Sequence, residues 1–238
     1  MDIYKIATIE ESVKDNDYVG RGIILGKTAD GSKAVFAYFI MGRSANSRNR
    51  VFKVEGDDVT IYPYDASKVE DPTLIIYSPI RKVGNITIVT NGDQTDTVRD
   101  FLAQGKTFEE ALRTRKFEHD APNYTPRISG IFYGDEQYSY KLNILKSADA
   151  AGSACFRETF EYEPVNGLGH FLHTYVCNGD PIPTFVGEPE RVAIPDTIEE
   201  MTDTLWNALD SENKISLCVR YIDVKSGAYE QRVINKFE

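Results

Sequence analysis

YVGRGIILGK at 18–27, ADGS at 29–32 and KAVFAYFIMG at 33–42 are two apolar, β-rich runs flanking an Asp-Gly turn. That arrangement predicts a β-hairpin. The same logic extends along the chain. RVFKV (50–54), the Gly56-Asp57-Asp58 turn and VTIY (59–62) predict a second hairpin. LIIYSPIR (74–81) and ITIVTNG (86–92) predict a third, joined around Gly84-Asn85.

Helical signals follow. Thr95, Asp96 or Thr97 is the expected cap of a helix that turns Val98, Phe101 and Leu102 inward and ends at Gly105. Thr107-Phe108-Glu109-Glu110 is a capping box for a second helix. Strands are expected near 128–134, 137–146, 154–162 and 168–177, and ordered surface coil over 180–196, where four prolines fall. A helix over 197–209 places Ile198, Met201, Leu205 and Leu209 on one stripe, and strands at 215–223 and 228–236 close the chain. Antiparallel hairpins with helices grouped in two places are not the βαβα alternation of a parallel sheet. The fold class is α+β, with two sheets face to face and helices outside. No repeat or linker divides 1–238, so one domain is expected.

The 238 residues hold 27 Lys+Arg against 37 Asp+Glu, a net charge of −10. That charge argues against a general nucleic-acid or anionic-membrane binder. No apolar run is long enough for a membrane span, and MDIYKIATIEES lacks a signal peptide's apolar core. Yet Arg43 to Lys53 contains four basic residues and no acid. A positive island in a negative chain suits a small anionic ligand. Cys155, Cys177 and Cys218 form no CxxC pair and are expected as small apolar strand residues in a reducing, cytoplasmic setting. His170 and His173 are three apart in a strand, which points them to opposite faces. No metal site and no cofactor are expected.

Four segments carry polar residues suited to chemistry. Arg43, Ser44, Asn49 and Arg50 offer a guanidinium fork and neutral donors for phosphate, against the plainer reading of a solvated loop. Tyr77 could aim a phenol into a cleft or simply edge the core. Asn91, Gly92, Asp93, Thr95 and Asp96 sit at a strand-to-helix junction, where backbone N–H groups attract anions but where a turn and cap also explain them. Glu118 to Asp120, with Arg127, supplies a carboxylate beside an arginine, or an exposed loop.

Taken in order, YVGRGIILGK, GRSxxxRNR, LIIYSPIR, TNGDQTDTV and NYTPRISG resemble the archaeal-type IMP cyclohydrolases over residues 18–131, with a thinner match at HTYVCNGDPIPTF (173–185). The resemblance implies a four-layer αββα sandwich of two antiparallel sheets, similar to the N-terminal-nucleophile hydrolases. It implies a cyclic-amidine hydrolase that closes 5-formamidoimidazole-4-carboxamide ribonucleotide to inosine monophosphate with loss of water. It also implies Arg50, Tyr77 and Glu118 as the catalytic group, and Arg43, Asn91 and Arg127 as residues shaping the nucleotide site. The carboxylate stays open between Glu118 and Asp120, and the phosphate contact among Arg43, Arg48, Arg50, Arg81 and Arg127. The expected partner is a small nucleotide monophosphate, with pairing of sandwich-edge strands into a homo-oligomer left open.

Two alternatives stand beside this. One is a nucleotide-binding module without turnover. The other is an amide hydrolase of the same sandwich with a self-processed nucleophile at Ser12, Thr28 or Cys155, for which no sequence signal exists.

Overall fold

The Asp-Gly turn closes the first hairpin in register: β1 (Arg21–Lys27) pairs antiparallel with β2 (Lys33–Met41), Ile24 opposite Ala37. The computed structural model describes Asp2, residues 4–69 and residues 76–237. Alternation along β2 sorts its side chains. Ala34, Phe36, Tyr38 and Ile40 join one buried cluster, and Val35, Ala37, Phe39 and Met41 join another. A strand buried on both faces must sit in the middle of a layered structure.

The second hairpin is β3 (Val51–Glu55) with β4 (Asp58–Tyr62), and the third is β5 (Ile80–Val83) with β6 (Ile86–Thr90). Of the expected strand at 74–81, residues 74 and 75 lie outside the described residues. The remainder becomes a regular strand only at Ile80, because Pro79 has no N–H to donate to a ladder. Strands β7 (Arg127–Phe132), β8 (Tyr140–Ser147) and β9 (Cys155–Tyr162) complete a seven-stranded antiparallel sheet in simple order β3 to β9.

The other sheet has six strands ordered β11-β10-β1-β2-β12-β13, with β10 at Leu168–His173, β11 at Glu190–Ala193, β12 at Lys214–Asp223 and β13 at Tyr229–Asn235. Strand β11 corrects the expectation of coil over 180–196. Pro189 and Pro195 bracket the strand without interrupting it; it pairs with β10 on one side, and on the other Ala7 N donates to Arg191 O and Ala193 N to Ala7 O.

Between the sheets lies a core containing Ile23, Phe36, Tyr38, Ile61, Val89 and Leu142. Helices α1 (Ile9–Val13) and α5 (Ile198–Ala208) cover the outer face of the six-stranded sheet through Ile9, Val13, Met201 and Leu205. Helices α3 (Gln94–Ala103) and α4 (Phe108–Arg113) cover the seven-stranded sheet through Val98, Phe108 and Leu112. The four layers run α, β, β, α. Helix α1, closed by a Thr8/Glu11 capping box, and the one-turn α2 (Ala45–Arg48) were not expected, because each is too short to show periodicity.

The sheet edges β3 and β13 are tied by one side chain. Phe52 N donates to Asn235 Oδ1 at 2.8 Å, and Asn235 Nδ2 donates to Phe52 O at 3.1 Å. Two local expectations change. Cys177 is an exposed coil residue, while Cys155 and Cys218 are in strands. The cap of α3 is Asp93, before the expected Thr95–Thr97, and it makes no side-chain cap bond.

Candidate active site

Strand ends from both sheets converge at one end of the sandwich around a cavity of about 730 Å³. From the six-stranded sheet comes Arg21, at the first position of β1. From the seven-stranded sheet come Arg50, immediately before β3, and Arg127, at the start of β7. Gly20 precedes Arg21 with φ +79°, and any Cβ there would run into Thr174 and the Tyr175 ring. Only glycine lets the chain enter β1 this close to Tyr175.

The deep wall is made of Arg50, Tyr77, Arg21 and Glu118. Arg50 is 9% exposed and its buried Nε has no hydrogen-bond partner among the described residues. A buried unpaired guanidinium nitrogen is costly, since it has lost water and gained nothing. Burial, then repulsion from Arg21, lowers the pKa of Arg50. Burial also acts to lower that of Arg21, but Tyr18, Tyr175, Glu118 and Tyr77 around it outweigh this and hold it above its ordinary value. Neither arginine makes an ion pair among the described residues; Arg21 Nη1 reaches only Tyr18 Oη, at 3.5 Å. Two arginines at one wall, near enough to Glu118 to feel its charge but ion-paired to nothing among the described residues, can hold an anionic oxygen.

Tyr77 is nearly buried, its hydroxyl 3.5 Å from that of Tyr38 on β2. Burial, and then Tyr77, raise the pKa of Tyr38 far above normal, so its phenol stays protonated. Burial raises the pKa of Glu118 against the opposing pull of Arg21 and Arg127. Its backbone N–H is fixed on Thr125 O at 2.9 Å. Asp120, the other candidate, also faces the cavity, but its carboxylate accepts from Thr125 N at 2.7 Å and from Thr125 Oγ1 at 2.5 Å. Asp120 shapes the loop, whereas the Glu118 carboxylate has no such bond among the described residues.

The outer wall holds Arg43, Ser44, Gly92, Asp93 and Arg127. Arg127 Nη1 donates to Asp93 Oδ1 at 2.7 Å and to Gln94 Oε1 at 2.6 Å, and Arg115 grips the other Asp93 oxygen at 2.5 Å. Burial would raise the pKa of Asp93, but these two arginines prevail and lower it. This pairing explains why Asp93 caps nothing. A Cβ on Gly92 would press on Arg127 and Gln94, so glycine makes room for that pair.

Four residues expected at the site are placed elsewhere. Asn49 exchanges two hydrogen bonds with the Asp65 backbone. Asn91 bridges Pro126 O and Ile128 N, and Thr95 bonds Thr90 and Gly92 O. Asp96 pairs with Arg81 and Arg99. Each is used to hold the walls and none lines the cavity. Arg48 and Arg81 are likewise occupied, by Gly42 O and Asn213 and by Asp58 and Asp96.

Sequence reasoning passed over Arg21, Tyr18 and Tyr175. The signal for Arg21 was present: a charged residue between two glycines at the head of an apolar strand. Ser12, Thr28 and Cys155 do not line the cavity. Among the described residues, no cluster of three or more His, Cys, Asp or Glu is arranged around a metal-sized gap.

Residues 18–227 match the model of a family described as IMP cyclohydrolase-like protein. The chain is 34% identical over 154 residues to the IMP cyclohydrolase of Methanococcus maripaludis, covering 60% of this chain and 75% of that protein. It is 27% identical over 209 residues to that of Methanocaldococcus jannaschii, covering 87% and 94%, and 35% identical over 162 residues to that of Methanopyrus kandleri, covering 66% and 75%. The family span takes in every wall of the cavity, from Tyr18 to Ile182, and so the chain belongs to the IMP cyclohydrolase-like family.

Proposed function

We propose that this protein is an IMP cyclohydrolase, closing 5-formamidoimidazole-4-carboxamide ribonucleotide to inosine monophosphate and water. The observation that carries the reading is a pair of arginines, the half-buried Arg21 and the buried Arg50, facing one cavity with Tyr77 and Glu118 and with no ion-pair partner among the described residues.

The reaction joins two groups of one molecule. The carboxamide nitrogen attacks the formyl carbon and gives up one proton while the formyl C=O pair moves onto oxygen and is protonated to a hydroxyl. The formamido nitrogen then pushes that hydroxyl out, loses its own proton as the hydroxyl leaves as water, and forms the ring C=N bond. Holding the substrate in the rotamer that brings nitrogen and carbon into contact supplies much of the rate. Arg50 and Arg21 stabilise the developing oxyanion, Tyr77 donates the proton to it, and Glu118 accepts the amide proton. A carboxylate whose pKa is lifted by burial is a stronger base than one in water, which suits a weakly acidic amide. Oxygen departs as water and nitrogen takes its place on the same carbon, so no covalent enzyme intermediate is needed.

Of the arginines first considered for the phosphate, Arg48 and Arg81 are occupied and Arg50 lies deep. Arg43, at the exposed rim with Ser44, is the phosphate contact in this reading, with Arg127 and Asp93 setting the outer wall. A phosphorylated substrate that does not cross membranes fits a cytoplasmic protein. Among the described residues, no helix is long and apolar enough to cross a membrane.

The test supplies the formamido ribonucleotide and follows the absorbance change of purine ring closure. Turnover well above the uncatalysed rate is expected. A rate equal to background would overturn the assignment and leave a nucleotide-binding role.

A further inference from the structure

The segment after β10 doubles back beside the cavity, which its Tyr175 and Ile182 line. Tyr175 bridges to Thr184, and Val176 N donates to Pro183 O at 2.9 Å, leaving a tip at 177–182. That tip is anchored on both banks. On one side, Asn16 Nδ2 donates to Val176 O at 2.7 Å and Asn178 Nδ2 donates to Asp17 Oδ2 at 2.8 Å. On the other, Ile182 N donates to Asn123 Oδ1 at 3.0 Å, within the loop that carries Glu118. Arg43 lies under the tip, its Nη1 donating to Asn178 Oδ1 at 2.5 Å and to Gly179 O at 2.8 Å, its guanidinium 5.1 Å from the centre of the Tyr18 ring.

Fixing an arginine costs rotamer freedom, so a free rim arginine binds an anion less well than one already held. Here one face rests on Tyr18 and one terminal nitrogen is committed to two acceptors. Nε and Nη2 make no hydrogen bond among the described residues. They remain for a ligand. The acceptor is a neutral amide, held by Asp17, so the side chain is oriented without its charge being cancelled.

We propose that Asn178 is a positioning residue that presents Arg43 to the phosphate of the substrate. This rests on the reading of the cavity as the cyclohydrolase site. Asparagine meets both demands at once: its oxygen accepts from Arg43 while its nitrogen donates to Asp17. An aspartate would keep the shape but neutralise Arg43 and repel Asp17.

Two variants decide the matter: Asn178→Ala, and the swap Asp17→Asn with Asn178→Asp. The swap restores a donor and an acceptor between positions 17 and 178 but sets a carboxylate on Arg43. Asn178→Ala should raise KM about tenfold with kcat within about twofold, the pattern of lost ground-state binding. Inhibition by inosine monophosphate should weaken by a similar factor, while inhibition by inosine, which lacks the phosphate, stays unchanged. The swap should melt like the wild type yet keep the raised KM. The proposal is overturned if Asn178→Ala matches the wild type, if inosine and its monophosphate weaken together, or if the swap restores KM. A wild type that neither turns over the formamido ribonucleotide nor binds inosine monophosphate removes the cyclohydrolase reading and this proposal with it. An active wild type with unaltered variants removes this proposal alone.

Discussion

The hydroxyls of Tyr38 and Tyr77 stand 3.5 Å apart, joining the inner face of one sheet to the wall of the cavity. Tyr77 faces the cavity and Tyr38 lies behind it, fully buried. In the proposed reaction, loss of the cavity hydroxyl removes the proton donor, whereas loss of the buried one only loosens its orientation. Tyr77→Phe should lower kcat about 100-fold, and Tyr38→Phe by no more than about tenfold. Steady-state kinetics on both variants checks the order, and equal losses would contradict it.

Arg50 separates activity from stability. Arg50→Ala should cost about 2–3 kcal/mol of transition-state stabilisation, the range for one lost oxyanion donor. Arg50→Met keeps the aliphatic stem while removing a buried charge whose Nε has no partner and whose neighbour Arg21 repels it. That variant should be inactive and melt at or above the wild-type temperature. A marked drop in melting temperature would mean that Arg50 holds the fold together.

Glu118 gives a pH dependence of defined sign. Its folded pKa is raised by burial, so between the unfolded and folded values the native state binds the extra proton. Stability is therefore greatest at low pH on this account and falls as pH rises through the folded pKa. Glu118→Gln should be more stable than wild type at pH 7, with the gap closing toward pH 4. The same variant should lose the acid limb of the kcat/KM profile, which in the wild type lies above the usual carboxylate range. Denaturant titrations at the two pH values, with a pH–rate curve, test both halves.

His170 works in the opposite direction. It lies on Tyr162 with ring centres 3.6 Å apart, and its Nδ1 is 2.8 Å from the Tyr140 hydroxyl. Burial first, then Arg191, brings its pKa down to about 4. The unfolded chain binds the proton at higher pH, so stability from the neutral ring is complete above about pH 6.5 and is lost as pH falls toward 4. The loss is at most about 3 kcal/mol. His170→Gln should flatten the stability curve in that window; an unchanged slope would exclude His170 as its source.

Most strands were legible because each hairpin carries its own turn chemistry between apolar, β-rich runs, continuous where a strand such as β2 is buried on both faces. Strand β11 was not, since its pairing depends on β10, a partner about 20 residues away, and the surrounding prolines hide it. At the site, Arg43, Arg50, Tyr77, Gly92, Asp93, Glu118 and Arg127 were identified as polar residues out of place in a purely structural stretch, and all line one cavity. Asn49, Asn91, Thr95 and Asp96 carried the same local signal but satisfy backbone groups and ion pairs instead. A one-dimensional pattern cannot tell a side chain that supports a wall from one that faces the space beyond it. Arg21 was missed for a related reason: its importance comes from meeting Arg50, which belongs to the other sheet.

That meeting gives the Asn235 clamp a wider consequence. Arg21 and Arg50 ride on separate sheets, so their spacing is a docking parameter of the whole sandwich, and Asn235 latches β13 to β3, the strand that follows Arg50 directly. Gentle warming that lets the two sheets slide would detune the proposed reaction centre while both sheets still stand, and activity would fail ahead of secondary structure. The same amide also occupies backbone groups on the β3 rim, leaving fewer of them free for a foreign strand to zip onto.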